Sequence, residues 1–406
     1  MESRDELTVC ATLQALRWRV TRVPQQVKKH SLHAFALFDV LDCGSKAGVF
    51  EALYFSDSPK VREFTMSFLN ALASEFLGRS YLLQRKDIVQ TLVASLFGEG
   101  KSDSYLRQNA LGTLQKFSLR KEAQNQMIQF DVVRWIVETV RAELDSLSDY
   151  TLEYATALLM NLSLRAEGKN KCEQIPDVLA VLTELVESDN MQVRTHVNGT
   201  LYSLLTRPAL KNQALQLGVK EMLEVLMQSS DEQFQRQIQY ILNQLSAEEP
   251  AGETRDDNEV EDEEEDYDYG DEDEQEEDEE YNDTIRFEGV LVGEDLLTSQ
   301  FVLPAAQALQ QTTSVARRLE AAQEDRMNKS AVSRDARPAT GFLAADNPFA
   351  LSRMGYANPA AVERSVPSAM KSRPRVARTP EEQPLDEEEE EAKQSLAIGD
   401  NPSSKR

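Results

Sequence analysis

Residues 61–83 read VREFTMSFLNALASEFLGRSYLL, and the same design returns as LRQNALGTLQKFSLRKEAQNQMI at 106–128, TLEYATALLMNLSLRAEGKNKCE at 151–173 and VRTHVNGTLYSLLTRPALKNQAL at 193–215. A fifth copy, FQRQIQYILNQLSAEE at 234–249, stops short. Alignment of the copies places Leu72, Phe117, Leu162, Leu204 and Leu245 in register at steps of 45, 45, 42 and 41 residues, with Asn125, Asn170 and Asn212 in a second register. Inside each copy the apolar residues recur every three or four positions, as in Leu152, Ala155, Leu158, Leu159 and Leu162, which paints one stripe along a helix. Gly168, Gly218, Pro176, Pro208 and Pro59 fall between the apolar runs, where helices stop and turn. Asp57, Asp149 and Asp231 precede helices and are predicted to cap them.

A unit of this length is the period of armadillo or HEAT repeats. One helical hairpin cannot bury its own apolar stripe, so neighbouring units must stack and share a continuous core. The expected fold is therefore all-α: an armadillo/HEAT-like α-solenoid over residues 1–249. Leu13 to Trp18 and Leu32 to Val40 read as a further, degenerate repeat closing the amino end, with residues 37–43 continuing its helix. Beyond the solenoid the sequence predicts an acidic disordered linker (250–284), one or more short helical elements (285–328) and a disordered tail (329–406).

The formal net charge of −26 is unevenly placed. Residues 1–250 hold 27 Lys and Arg against 31 Asp and Glu, leaving most of the negative charge to the tail, where 19 of the 25 residues 256–280 are acidic and none is basic. Self-repulsion keeps such a block extended. The balance argues against nucleic acid and anionic membranes, which require clustered Lys and Arg, and favours basic partners. The tract reads either as a solvated spacer or as a polyanionic lure for basic surfaces. Three dispersed cysteines, Cys10, Cys43 and Cys172, form no CxxC pair, so neither a disulfide framework nor a four-cysteine zinc site is expected. No apolar run reaches bilayer length and the start lacks a signal-peptide pattern. An intracellular protein with reduced thiols is expected.

In armadillo proteins the third helix of each repeat lines a groove, and import receptors furnish it with rows of Asn and Trp. Here the asparagine row maps onto Ala71, Lys116, Asn161, Ser203 and Gln244, and the tryptophan row onto Ser67, Gly112, Ala157, Gly199 and Tyr240. Only Asn161 matches, so the import-receptor reading is discarded. Glu63, Lys116, Glu153, Asn161, Tyr240 and Gln244 remain as candidate protein-contacting groove residues, set against the plainer reading of a solvated helix face. His30, His33, Asp39 and Cys43 make a weak metal constellation, better read as surface histidines beside a buried thiol. No phosphate loop or nucleophile–base pair occurs. No enzyme, cofactor or metal is expected.

Past the acidic tract, RFEGVLVGEDLLTSQFVL (286–303) is apolar enough to fold, and Leu296, Leu297, Phe301 and Val302 share a helical face. This short helix is expected to dock either on the last repeat or on a partner. The tail also contains Asn347-Pro348-Phe349, of a kind that EH domains bind, and Thr379-Pro380 beside a basic run, both weak matches.

LQALRWR at 13–19, LGTLQKFSLR from Leu111 and LSDYTLEYATALLMNLSLRAEGKNKC from Leu147 together resemble the LisH domain-containing armadillo repeat-containing protein 9 family. The similarity continues in order through the acidic tract to VGEDLLTSQF from Val292. It implies a basal-body and centriole protein of cilia that supports ciliogenesis, axonemal microtubule stability and ciliary signalling through other ciliary or centrosomal partners, some of them microtubule-associated, without catalysis. The family's LisH motif and coiled-coil region do not precede the solenoid in this sequence, so LisH dimerisation is not carried over. A reading independent of the resemblance is an acidic-tailed chaperone or adaptor for basic clients in the cytosol or nucleus.

Overall fold

The structure, a computed structural model, describes residues 4–44, 48–98, 103–229, 231–247 and 285–302. It opens with α1 (Arg4–Thr21), α2 (Gln25–Leu37) and α3 (Val49–Tyr54). Triplets of one long and two shorter helices follow: α4 (Pro59–Ala73), α5 (Phe76–Leu82) and α6 (Ile88–Gly98); α7 (Tyr105–Phe117), α8 (Lys121–Gln129) and α9 (Val132–Glu143); α10 (Asp149–Ser163), α11 (Ala166–Glu173) and α12 (Val178–Leu185); α13 (Met191–Leu204), α14 (Pro208–Gln216) and α15 (Val219–Ser229). A last long helix, α16 (Glu232–Ser246), ends the array, and α17 (Gly293–Gln300) lies beyond the acidic tract. There is no strand among the described residues.

The long helices form a ladder in which α1 packs on α4, α4 on α7, α7 on α10, α10 on α13 and α13 on α16. Leu72, Phe117, Leu162, Leu204 and Leu245, the residues aligned in the sequence, are all buried in it. Each such side chain contributes roughly 1.5–3 kcal/mol of transfer free energy, so the repeating stripe is what drives the units together. The fold is the all-helical armadillo-type solenoid that the periodicity predicts.

Helix starts are fixed by side chains. Ser58, Ser104, Ser148, Asn190 and Asp231 accept the orphan N–H groups of α4, α7, α10, α13 and α16. Asp231 caps as expected, but Asp57 and Asp149 do not. Pro59 occupies the first helical position, which makes Ser58 the cap. Asp149 sits inside the first turn of α10, where its charge suits the helix dipole.

The predicted helix over 37–43 also fails. α2 stops at Leu37, and Asp39 and Asp42 adopt left-handed backbone (φ 50° and 52°), a conformation Asp tolerates because its carboxylate can bond locally. The Asp39 carboxylate accepts from the Cys43 and Gly44 N–H groups (2.7 and 3.1 Å) and from the Tyr81 hydroxyl (3.0 Å), while Asp42 accepts from Val49 N (2.8 Å).

Two glycines set how closely the short helices approach. A Cβ on Gly78 or Gly168 would lie 2.0 or 1.9 Å from the carbonyl oxygen of Leu72 or Leu162, at the end of the preceding long helix. Backbone cannot yield as a flexible side chain does. Gly168→Ala is therefore expected to cost about 2–4 kcal/mol, seen as a melting temperature lowered by roughly 5–15 °C in circular dichroism. Gly98→Ala, where nothing lies within 4 Å, is expected to leave it unchanged or slightly raised.

Candidate functional site

Successive long helices are joined by hydrogen bonds between side chains some forty residues apart. Between α4 and α7, Asn70 Nδ2 donates to Asn109 Oδ1 (3.0 Å), and Lys116 Nζ donates to the Asn70 carbonyl (3.1 Å) and to its Oδ1 (2.7 Å). Tyr150 reaches across Gly112, where a Cβ would sit 2.3 Å from its hydroxyl, to accept from Asn70 (3.3 Å). Between α7 and α10, Asn161 Nδ2 donates to Ser118 Oγ (2.7 Å). Thr156 Oγ1 and His196 Nδ1 lie 3.4 Å apart between α10 and α13, where Ser203 also donates to the Ser163 carbonyl (2.7 Å). Asn198 donates to Gln237 (3.1 Å) between α13 and α16.

This ladder corrects the groove assignment. Asn161 is 0% and Lys116 3% exposed, so the two most distinctive candidates are turned into the stack and serve its cohesion, out of reach of a ligand. Gln244 is buried as well. Glu63 and Glu153 are half-buried, and Tyr240 on α16 is 36% exposed. Burial thus separates Lys116, Asn161 and Gln244 from the partly exposed Glu63, Glu153 and Tyr240.

A second arrangement lies at the other end of the ladder. Residues 285–302, the segment read as a docking helix, straddle the seam of α1 and α4, far in sequence from the last repeat. Leu296 is fully buried, Leu297 half-buried and Phe301 53% exposed. The Phe287 ring packs on Phe64 (centroids 5.6 Å apart), and Gln14 Nε2 donates to the Ile285 carbonyl (3.3 Å). Gly293 has φ 58° and lies against the Trp18 indole, where a Cβ would meet the ring at 2.7 Å. The Arg19 guanidinium holds the Glu294 carboxylate in a two-pronged pair (3.1 and 2.5 Å). The apolar pattern of 286–303 was visible in the sequence; its receptor, Trp18, Arg19 and Phe64, was not.

Burial pushes the Cys43 and Cys172 thiols up to about 12, which removes the thiolate that a nucleophile or metal ligand needs. His30 and His33 are exposed, and no cluster of three His, Cys, Asp or Glu side chains able to hold a metal exists among the described residues. No helix among them is long and apolar enough to cross a membrane. The Asn347-Pro348-Phe349 and Thr379-Pro380 strings, the acidic tract and residues 303–406 lie outside the described residues.

Comparison with known proteins gives a consistent picture. Residues 127–246 match the family described as LisH domain-containing protein ARMC9, ARM repeats. The chain is 42% identical over 241 residues to LisH domain-containing protein ARMC9 of Bos taurus, covering 58% of this chain and 36% of that one. The Homo sapiens protein is 41% identical over 252 residues, 61% of this chain and 30% of that one, and the Danio rerio protein 40% over 238 residues, 58% and 29%. The match thus spans about a third of the length of these relatives. Among solved structures, an engineered protein (19% identical, TM-score 0.44, 58% of this chain and 96% of that one) and a designed armadillo repeat protein (16%, 0.43, 57% and 99%) are similar.

His196, fully buried in the ladder, gives the stack a pH signature. Burial lowers its pKa from 6.5 to about 4, so the unfolded chain binds a proton below pH 6.5 that the folded chain refuses. Stability is then complete above pH 6.5 and falls as the pH drops toward 4, by on the order of 3 kcal/mol for this group. Urea titrations of the wild type and of His196→Gln between pH 7 and 4 are expected to show a shallower loss for the variant.

Proposed function

We propose, from the premise that its armadillo-repeat region belongs to the family of LisH domain-containing protein ARMC9, that this chain is a non-enzymatic protein-binding scaffold of the ciliary basal body and centriole. There it supports cilium assembly, axonemal microtubule stability and ciliary signalling. The observation that carries the reading is the 41% identity over 252 residues, which takes in the repeats where a scaffold makes its contacts. Stacked repeats suit this work because they offer an extended surface on a rigid frame, and a ladder devoted to packing leaves binding to its edges, ends and tail. Its partners are other ciliary or centrosomal proteins, microtubule-associated ones among them, at the basal body and in the surrounding cytoplasm. Nucleic acid and membrane insertion are no part of the proposal, since an acidic chain repels phosphate.

The 19 acidic residues among 256–280 favour a second reading, an acidic-tailed chaperone or adaptor for basic clients. Long-range charge attraction of that kind is screened by salt.

A fluorescently tagged chain expressed in ciliated cells is expected at basal bodies, with fewer or shorter cilia after its deletion. A tag absent from basal bodies and axonemes, with cilia unaltered by deletion, contradicts the first reading. Loss of all partner capture at moderate salt, and on removal of residues 256–280, supports the second.

A further inference from the structure

We infer that the seam of α1 and α4 is a binding site for short amphipathic helices of partner proteins, and that residues 285–302 are its built-in, displaceable occupant. The inference deepens the scaffold reading above by assigning it a site and a ligand class.

Four observations carry it. The contact combines the elements of a recognition site: an aromatic pair (Phe287 on Phe64), a close approach that only glycine permits (Gly293 on Trp18), a fully buried apolar anchor (Leu296) and a two-pronged charge pair (Glu294 on Arg19). The occupant is tethered only through residues 248–284, which hold the acidic tract. At about 3.3 Å per residue a stretch of that length has a contour of up to about 120 Å, so chain connectivity alone does not fix the segment on α1. The fit is also incomplete. An apolar cavity of about 340 Å³ stays open beside it, lined by Val9, Thr12, Leu13, Leu16 and Leu53 of the solenoid and by Phe301 of the segment. Finally, the charge pair is solvent-accessible on both sides (37% and 60%), where such pairs are weak and screened.

The occupant states the chemistry of its competitor. Arg19, with Arg22 over the Trp18 ring at 4.8 Å, makes a cationic rim that suits an acidic first helical turn like that of Glu294 and Asp295. The indole demands glycine at the helix start, and the Leu296 pocket takes an apolar residue three positions on. A partner helix with this pattern and a bulkier apolar side chain at the position of Phe301 fills the cavity that the internal segment leaves open, and so displaces it. At the opposite end α16 turns Gln233, Gln235, Gln239 and Asn243 outward, a polar face that needs no cover. Among the described residues the proposed site therefore lies at the α1 end.

The test uses the purified full chain and a fluorescent synthetic peptide of residues 285–302 in anisotropy titrations. Wild-type chain is expected to bind it weakly, because the tethered copy occupies the site. Leu296→Asp chain, whose own segment cannot bury a carboxylate, is expected to bind it at least tenfold more tightly. A Glu294→Arg peptide should bind the Leu296→Asp chain at least fivefold more weakly than the native peptide and recover when Arg19→Glu is added to that chain. Binding within twofold between wild-type and Leu296→Asp chains, or an unweakened Glu294→Arg peptide, overturns the proposal. Should circular dichroism find the Leu296→Asp chain unfolded, Gly293→Val, which clashes with Trp18 from the segment side, gives the same readings. Because the assay uses only purified components, its failure leaves the cellular scaffold reading untouched.

Discussion

The hydrogen bond from Asn161 to Ser118, buried between α10 and α7, shows what the array depends on. An apolar stripe alone tolerates slippage, because a leucine displaced by one turn still meets leucines. A buried amide does not, since an unpartnered polar group costs about 1–3 kcal/mol. Asn70 with Asn109, Asn161 with Ser118, Thr156 with His196 and Asn198 with Gln237 repeat the device at each seam from α4 to α16. Hydrophobic burial supplies the adhesion and the polar pairs supply the register, a division of labour for buried polar groups seen in other helical assemblies.

A ladder of this kind must solve the problem of its ends. Interior helices such as α7 and α10 are covered by neighbours on both sides, whereas the outermost ones expose whatever stripe they carry. α16 answers with glutamines and an asparagine, while α1 presents Leu13, Leu16 and Trp18 and is covered by a segment that arrives from beyond the acidic tract. Among the described residues the apolar stripe of α1 is thus covered by residues 285–302, the segment proposed above to be displaceable.

The sequence disclosed the repeat with little ambiguity because the residues that carry it, Leu72 through Leu245, are large, apolar and evenly spaced, and spacing survives projection onto a line. Interactions between elements do not. Lys116 and Asn161 occupy the register where an armadillo groove residue belongs, and nothing local shows that their side chains turn inward to reach Asn70 and Ser118. The same limit applied to residues 286–303, whose amphipathic pattern was plain while its receptor, 271 residues away at Gln14, was not. Nearer errors had local causes. Ser58 rather than Asp57 caps α4 because Pro59 fixes the first helical position, and the helix expected through Cys43 gives way to a turn that the Asp39 carboxylate holds.

The claim that buried polar pairs hold adjacent repeats together is tested most directly by a double-mutant cycle on one of them. Urea unfolding of the wild type, Asn161→Ala, Ser118→Ala and the double variant yields their coupling energy. A coupling of about 1 kcal/mol or more is expected. Strictly additive losses would mean that Asn161 and Ser118 do not bond across the seam and that apolar packing alone sets the register.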